Sequence, residues 1–156
     1  MSGDTERKPV AARDDAVAAR PALTRPAHVA VIALGCAVTM AIAAGAAWLT
    51  GQPLLAPPLG ATAFLALAVP LAPSSAPRNM LYGHAIGLAA GFLALQLTGA
   101  GELPSALAHG FTFNHVLACA LALMFTAAGT EGLGCSHPPA GATTLVVALG
   151  LLPAPL

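Results

Sequence analysis

Two short stretches carry the residues able to do chemistry. Residues 132–145 read GLGCSHPPAGATTL, and residues 51–65 read GQPLLAPPLGATAFL. At a constant offset of 81 residues, Gly51 pairs with Gly132, and Pro57 and Pro58 pair with Pro138 and Pro139. Gly60, Ala61 and Thr62 then pair with Gly141, Ala142 and Thr143. A shared offset ending in a contiguous Gly-Ala-Thr marks two copies of one device. Proline opens a helix at little cost, because the first N–H groups have no intrahelical partner. Glycine and alanine keep the backbone accessible, and threonine adds a hydroxyl in the first turn. A helix N-terminus carries about half a positive charge and free donors, which favours an anion. The residues expected to bind it are Gly60, Ala61, Thr62, His137, Gly141, Ala142 and Thr143.

Two roles stay open for His137. It either faces a cavity, donating to an anion or carrying a proton, or it caps the broken turn; an imidazole suits both. Thr62 and Thr143 could also bond back to carbonyls of their own helices; their repetition favours a ligand role. Arg78, Asn79, His84 and Glu131 are the candidates for gating or coupling. Arg78 either neutralises a passing anion or marks a cytoplasmic loop. Carboxylates at membrane depth are rare and usually functional, although Glu131, at the end of a span, also fits the interface. His84 stands beside Gly83 and suits a hydrogen bond to a neighbouring helix. Cys135 and His137 would give two metal ligands where zinc takes four, so neither metal nor cofactor is expected. No nucleophile–base set, carboxylate pair or phosphate loop is visible. Gly132-Leu133-Gly134 lacks the third glycine and acidic partner of a dinucleotide motif. Enzymatic activity is therefore not expected.

The elements that must hold these residues are apolar. The 156-residue chain is 57% hydrophobic and only 8% charged, against about 25% charged in soluble domains. This is the composition of a membrane protein. Nine of the twelve Lys, Arg, Asp and Glu residues precede residue 26, leaving Arg78, Glu102 and Glu131 beyond. Residues 1–27 read as a disordered tail, with Arg13, Arg20 and Arg25 placing it on the cytoplasmic side. No basic stripe suggests nucleic acid. Cys36, Cys119 and Cys135 suggest no disulfide framework.

Residues 28–50 are long enough to cross about 30 Å of hydrocarbon. Trp48 fits an interfacial anchor. Residues 51–58 are proline-broken, and 59–71 form a short apolar segment suited to a half-helix. A turn over 72–79 leads to a span over 80–98. That span carries Gly83, Gly87 and Gly91, a stripe that admits another helix at backbone distance. A loop over 99–105 precedes a span over 106–128, with His109 and His115 near its start. Residues 129–137 are irregular, and 138–152 repeat the short apolar segment. Three crossings per copy is odd, so the copies must be inverted, a pattern that points to a transport site near the midplane. The first repeat covers 28–99 and the second 106–156. The counterpart of the third element would start near residue 158. Truncation, or a partner chain supplying the last helix, accounts for this.

The motifs HPPAGAT at 137–143, PPLGAT at 57–62 and PRNMLYGHAIG at 77–87 resemble the HPP family of integral membrane proteins. The resemblance covers residues 27–153. It implies a multi-span inner-membrane or plastid-envelope protein, and small-anion transport, since some members are nitrite transporters. It carries over to His137, Pro138, Pro139, Gly141 and Thr143, and to Arg78, Asn79 and His84.

The expected architecture is all-α and polytopic, with about five apolar segments, two of them short, in an incomplete inverted repeat. The expected function is permeation of a small inorganic anion, nitrite first, in a bacterial inner membrane. The alternative is a non-transporting scaffold or accessory subunit. Expected partners are the lipid bilayer, the anion, and either a second copy or a chain supplying the final helix.

Overall fold

The structure is a computed structural model that describes residues 25–51 and 56–152. Its described residues form α1 (Arg25–Thr50), α2 (Pro57–Ala68), α3 (Pro77–Thr98), α4 (Ala106–His109), α5 (Phe113–Gly132) and α6 (Pro139–Ala148), with 3-10 turns at Pro73–Ser75 and Ala100–Glu102. The protein is all-helical and polytopic. At 1.5 Å per residue, α1, α3 and α5 are about 39, 33 and 30 Å long, enough to cross the hydrocarbon core, whereas α2 and α6 reach only about 18 and 15 Å. Three membrane-length helices and two short ones give the five apolar segments.

Several boundaries move. Residues 25–27, expected in the tail, form the first turn of α1, where Pro26 needs no N–H partner. The rest of the tail lies outside the described residues. The span expected from residue 106 begins instead at Phe113. Gly110, at φ +93°, ends the single turn of α4. Thr112 then starts α5 with a capping box, its hydroxyl accepting from the His115 N–H while His115 Nδ1 accepts from the Thr112 N–H. The helix continues through Glu131 to Gly132, so the irregular stretch is shorter than expected. Gly134, at φ +60°, turns the chain back toward α6.

The glycine stripe of α3 receives α6. A methyl group on Gly83 would stand 2.8 Å from His137 Cβ, one on Gly87 would stand 2.8 Å from the Ala140 carbonyl oxygen, and one on Gly91 would stand 2.6 Å from Val147 Cβ. The ascending order of both sets makes α3 and α6 parallel. Close packing of small residues is how helices associate where lipid removes a hydrophobic drive. Thr144 stitches the seam, donating to the Gly87 carbonyl at 3.0 Å and meeting Thr126 of α5 at 2.5 Å. Ala94, Leu95, Ala118, Ala122, Val147 and Ala148 fill the core among these three helices.

The packing also fixes the inversion. Gly35 of α1 faces Leu67, and Gly60 faces Met40, so α1 and α2 are antiparallel. Ile86 of α3 faces Gly129 near the end of α5, Gly99 just past α3 faces Asn114 at the start of α5, and α6 runs parallel to α3. Helix α5 thus runs antiparallel to α3 and α6. Taking the end where α3 begins as the near side, α1 runs away from it and α5 toward it. Helix α2 runs toward it and α6 away. Each member of the second copy opposes its counterpart in the first.

Candidate functional site

The site forms where the two short helices pass each other against α3. Thr62 of α2, His84 of α3, His137 before α6 and Thr143 of α6 are joined in one hydrogen-bonded chain. Thr62 Oγ1 lies 2.9 Å from His84 Nε2 and 3.1 Å from His137 Nε2. His84 Nδ1 lies 2.7 Å from Thr143 Oγ1. The repeat-related threonines therefore hold opposite nitrogens of the same imidazole. The two rings meet edge to face, with centroids 4.9 Å apart. His137 is 2% exposed, and its Nδ1 lies 2.7 Å from the Ser74 carbonyl oxygen.

That carbonyl sets the polarity of the chain, because it can only accept. His137 must carry a proton on Nδ1, which leaves Nε2 of the neutral ring an acceptor. Thr62 then donates to His137 Nε2 and accepts from His84 Nε2–H. His84 Nδ1 is left to accept from the Thr143 hydroxyl. Each donor has one acceptor and each acceptor one donor.

Five other threonines behave differently, although Thr144 also reaches another helix. Thr39, Thr50, Thr98, Thr126 and Thr130 bond back to carbonyls of their own helices. Thr62 and Thr143 reach other elements instead.

The turn that presents Ser74 is braced from both sides. Ser75 donates to the Leu65 carbonyl at 3.2 Å, and the Asn79 amide donates to the Pro73 carbonyl at 2.9 Å. Asn79 thus braces the turn that bears the Ser74 carbonyl. Arg78 is exposed and stacks over Tyr82 at 5.7 Å.

Two clefts flank the chain. One, of about 300 Å³, is lined by Ala56, Pro58 and Leu59 of the α2 entry together with His84, Thr143 and Val146. The other, of about 180 Å³, lies between α5 and the α6 entry, with Thr130, Glu131, Ser136 and His137 in its wall. The second is on the near side, at the end of α5. The first lies toward the far side, where the α2 entry meets the later part of α6. Glu131 is exposed at the near-side cleft.

The residues expected to bind an anion separate into two groups. Thr62, His137 and Thr143 converge, and His84, expected to couple or gate, joins them. Gly60 faces Met40 and Gly141 faces Leu123, so both glycines are helix contacts. Ala61 is exposed, away from the hydrogen-bonded chain, and Ala142 is half-buried. The first-turn N–H groups are also engaged: Leu59 bonds to the Ala56 carbonyl, Ala140 to that of His137 and Gly141 to that of Pro138. The prolines have no N–H to offer. Donors at the site are therefore side chains. The Ser74 carbonyl had no sequence signal, since any residue supplies one.

The family model described as the HPP transmembrane region matches residues 21–153. No curated protein and no solved structure matches the chain. The matched segment contains all five apolar helices, the glycine stripe and every member of the Thr143–His84–Thr62–His137 chain, and on that match this integral membrane protein belongs to the HPP transmembrane family.

Proposed function

We propose that the protein moves a small inorganic anion across the bilayer, with nitrite the first candidate by family resemblance. The observation that carries this reading is the His84 imidazole held by both repeat-related threonines, at the crossing of two inverted half-helices. Broken helices of inverted repeats are the usual place for a midplane transport site. The cleft beside His84 and Thr143 has room for a small oxyanion. The positive end of the α2 dipole adds a favourable field there, and no carboxylate lines that cleft. Rocking of one repeat against the other exposes the site alternately. By the charge rule the near side is cytoplasmic, in an inner membrane.

A scaffold or accessory role is the competing reading. It is favoured by the mutual satisfaction of the site's hydroxyls and ring nitrogens, which leaves an anion no vacant donor in the resting arrangement. Uptake of nitrite into liposomes holding the purified chain decides between them, with nitrate and chloride as competitors. Saturable uptake that falls at least tenfold in Thr143→Ala and His84→Gln is the expected result. Uptake by the folded protein no faster than by empty liposomes refutes transport by this chain.

A further inference from the structure

We propose that Thr143, His84, Thr62 and His137 form a proton relay joining the two clefts. Its geometry does not depend on the identity of the transported solute, and only its coupling to an anion rests on the function proposed above. Consecutive donor and acceptor atoms stand 2.7, 2.9 and 3.1 Å apart, within hydrogen-bond reach throughout. One end, at His84 and Thr143, lines the far-side cleft, and the other, at His137, lines the near-side cleft. The chain is continuous between them, and each of its atoms can both give and receive a proton.

The transfer balances. In the resting polarity Thr143 donates to His84 Nδ1, His84 Nε2–H donates to Thr62, and Thr62 donates to His137 Nε2. A proton arriving at Thr143 Oγ1 displaces the hydroxyl proton onto His84 Nδ1. The Nε2 proton of His84 passes to Thr62 Oγ1 as the Thr62 proton passes to His137 Nε2. One N–H or O–H bond forms for each that breaks, and the added charge appears on His137. Its Nδ1–H stays on the Ser74 carbonyl throughout. The Nε2–H bond of His137 then breaks and its proton leaves through the cleft that holds Glu131, and reorientation of the His84 ring and the two hydroxyls restores the resting polarity. The same steps run in reverse.

After transfer, His84 carries its proton on Nδ1 and donates to Thr143. The Thr143 hydroxyl is then free to donate into the far-side cleft. On the anion reading, proton transfer thus creates the donor that the resting arrangement lacks. Two positive rings 4.9 Å apart would repel strongly, so the relay carries one excess proton at a time. The other ionisable groups on elements packed around it are His115, Cys119 and Glu131 of α5, Arg78 and Tyr82 of α3, and the buried Cys135 before α6. Helix α2 contributes none.

Two measurements on the full chain test this. Nitrogen NMR with labelled histidine reads the tautomers in lipid nanodiscs. The expected resting state has the proton of His137 on Nδ1 and that of His84 on Nε2. A neutral His137 protonated on Nε2 overturns the proposal. Proteoliposomes with a trapped pH dye, at clamped membrane potential, read proton entry after external acidification, with and without nitrite. Entry faster than in empty liposomes is expected. It should fall at least tenfold in Thr62→Val, which keeps the side-chain shape, and persist in Thr62→Ser, which keeps the hydroxyl. Equal flux in Thr62→Val and the parent overturns the relay, as does flux no faster than empty liposomes in both conditions. Nitrite uptake without proton movement overturns it and leaves anion transport standing. Proton entry indifferent to nitrite supports the relay and counts against the anion reading.

Discussion

Replacing Gly87 by alanine puts a methyl group where α6 already sits. The added carbon would lie 2.8 Å from the Ala140 carbonyl oxygen and 2.9 Å from Thr144 Oγ1, against 3.4 Å at the lower edge of ordinary contact. Helix α6 would have to retreat by roughly 0.6 Å to restore ordinary contact. The nearest clashing atom belongs to the backbone, so no rotamer change relieves it. Overpacking of this kind costs about 1–3 kcal/mol. Alanine in a helix interior returns about 1 kcal/mol over glycine. With a rigid neighbour the net is a loss of up to about 2 kcal/mol. The same retreat stretches the bond from Thr144 to the Gly87 carbonyl, now 3.0 Å, and the contact between His84 and Thr143. Gly45→Ala is the control, because nothing lies within 4 Å of its added carbon. It should be neutral or more stable by up to about 1 kcal/mol. Equilibrium unfolding in mixed micelles, followed by loss of helical circular dichroism, measures both. If Gly87→Ala proves as stable as Gly45→Ala, the glycine stripe does not hold α6 against α3 and the site's geometry loses its support.

Two further substitutions probe the supports around the site. Thr144→Val keeps the shape but removes the donor to the Gly87 carbonyl, and should cost about 1 kcal/mol in the same unfolding experiment; Thr126, which also bonds the Ala122 carbonyl at 2.9 Å, keeps a partner. Thr112→Ala removes the hydroxyl of the α5 capping box, which should cost about 1 kcal/mol and speed amide exchange over the first turn of α5 roughly fivefold. Unchanged exchange there would show that His115 alone holds the helix start.

Much of this architecture was legible because repetition and composition report on it directly. The 81-residue offset maps α2 onto 138–149, and α6 occupies Pro139–Ala148. The spacing of Gly83, Gly87 and Gly91 announced a close helix contact. It could not say which helix, since a four-residue stripe describes one surface and not its partner. The break at Gly110 was hidden because residues 106–112 remain apolar enough to continue a span. Thr62, His84 and His137 are separated by 22 and 53 residues in the chain. Each was legible as a polar residue on an apolar element, but their union depends on how α2 crosses α3. Gly60 and Gly141 were read as openings to a ligand. In the structure the room they leave is taken by Met40 and Leu123, as tight packing demands.

The chemistry lies where the two copies differ. Subtracting 81 from His137 gives Ala56, from Glu131 gives Thr50 and from Ser136 gives Leu55. Ala56 lines the far-side cleft, while His137 lines the near-side one. The inverted repeat therefore builds two entries and puts the unshared His137 and a carboxylate at only one of them, while His84 of α3 lines the other. The shared Gly-Ala-Thr supplies the paired hydroxyls, which a symmetric site needs to clamp His84 from both sides. The unshared His137 supplies direction, because its Nδ1 is tied to the Ser74 carbonyl and every donor beyond it must follow. A fully symmetric device would have no preferred polarity. On the proposed reading, His137, which stands where the first copy has Ala56, makes the two faces of the membrane chemically different to the protein.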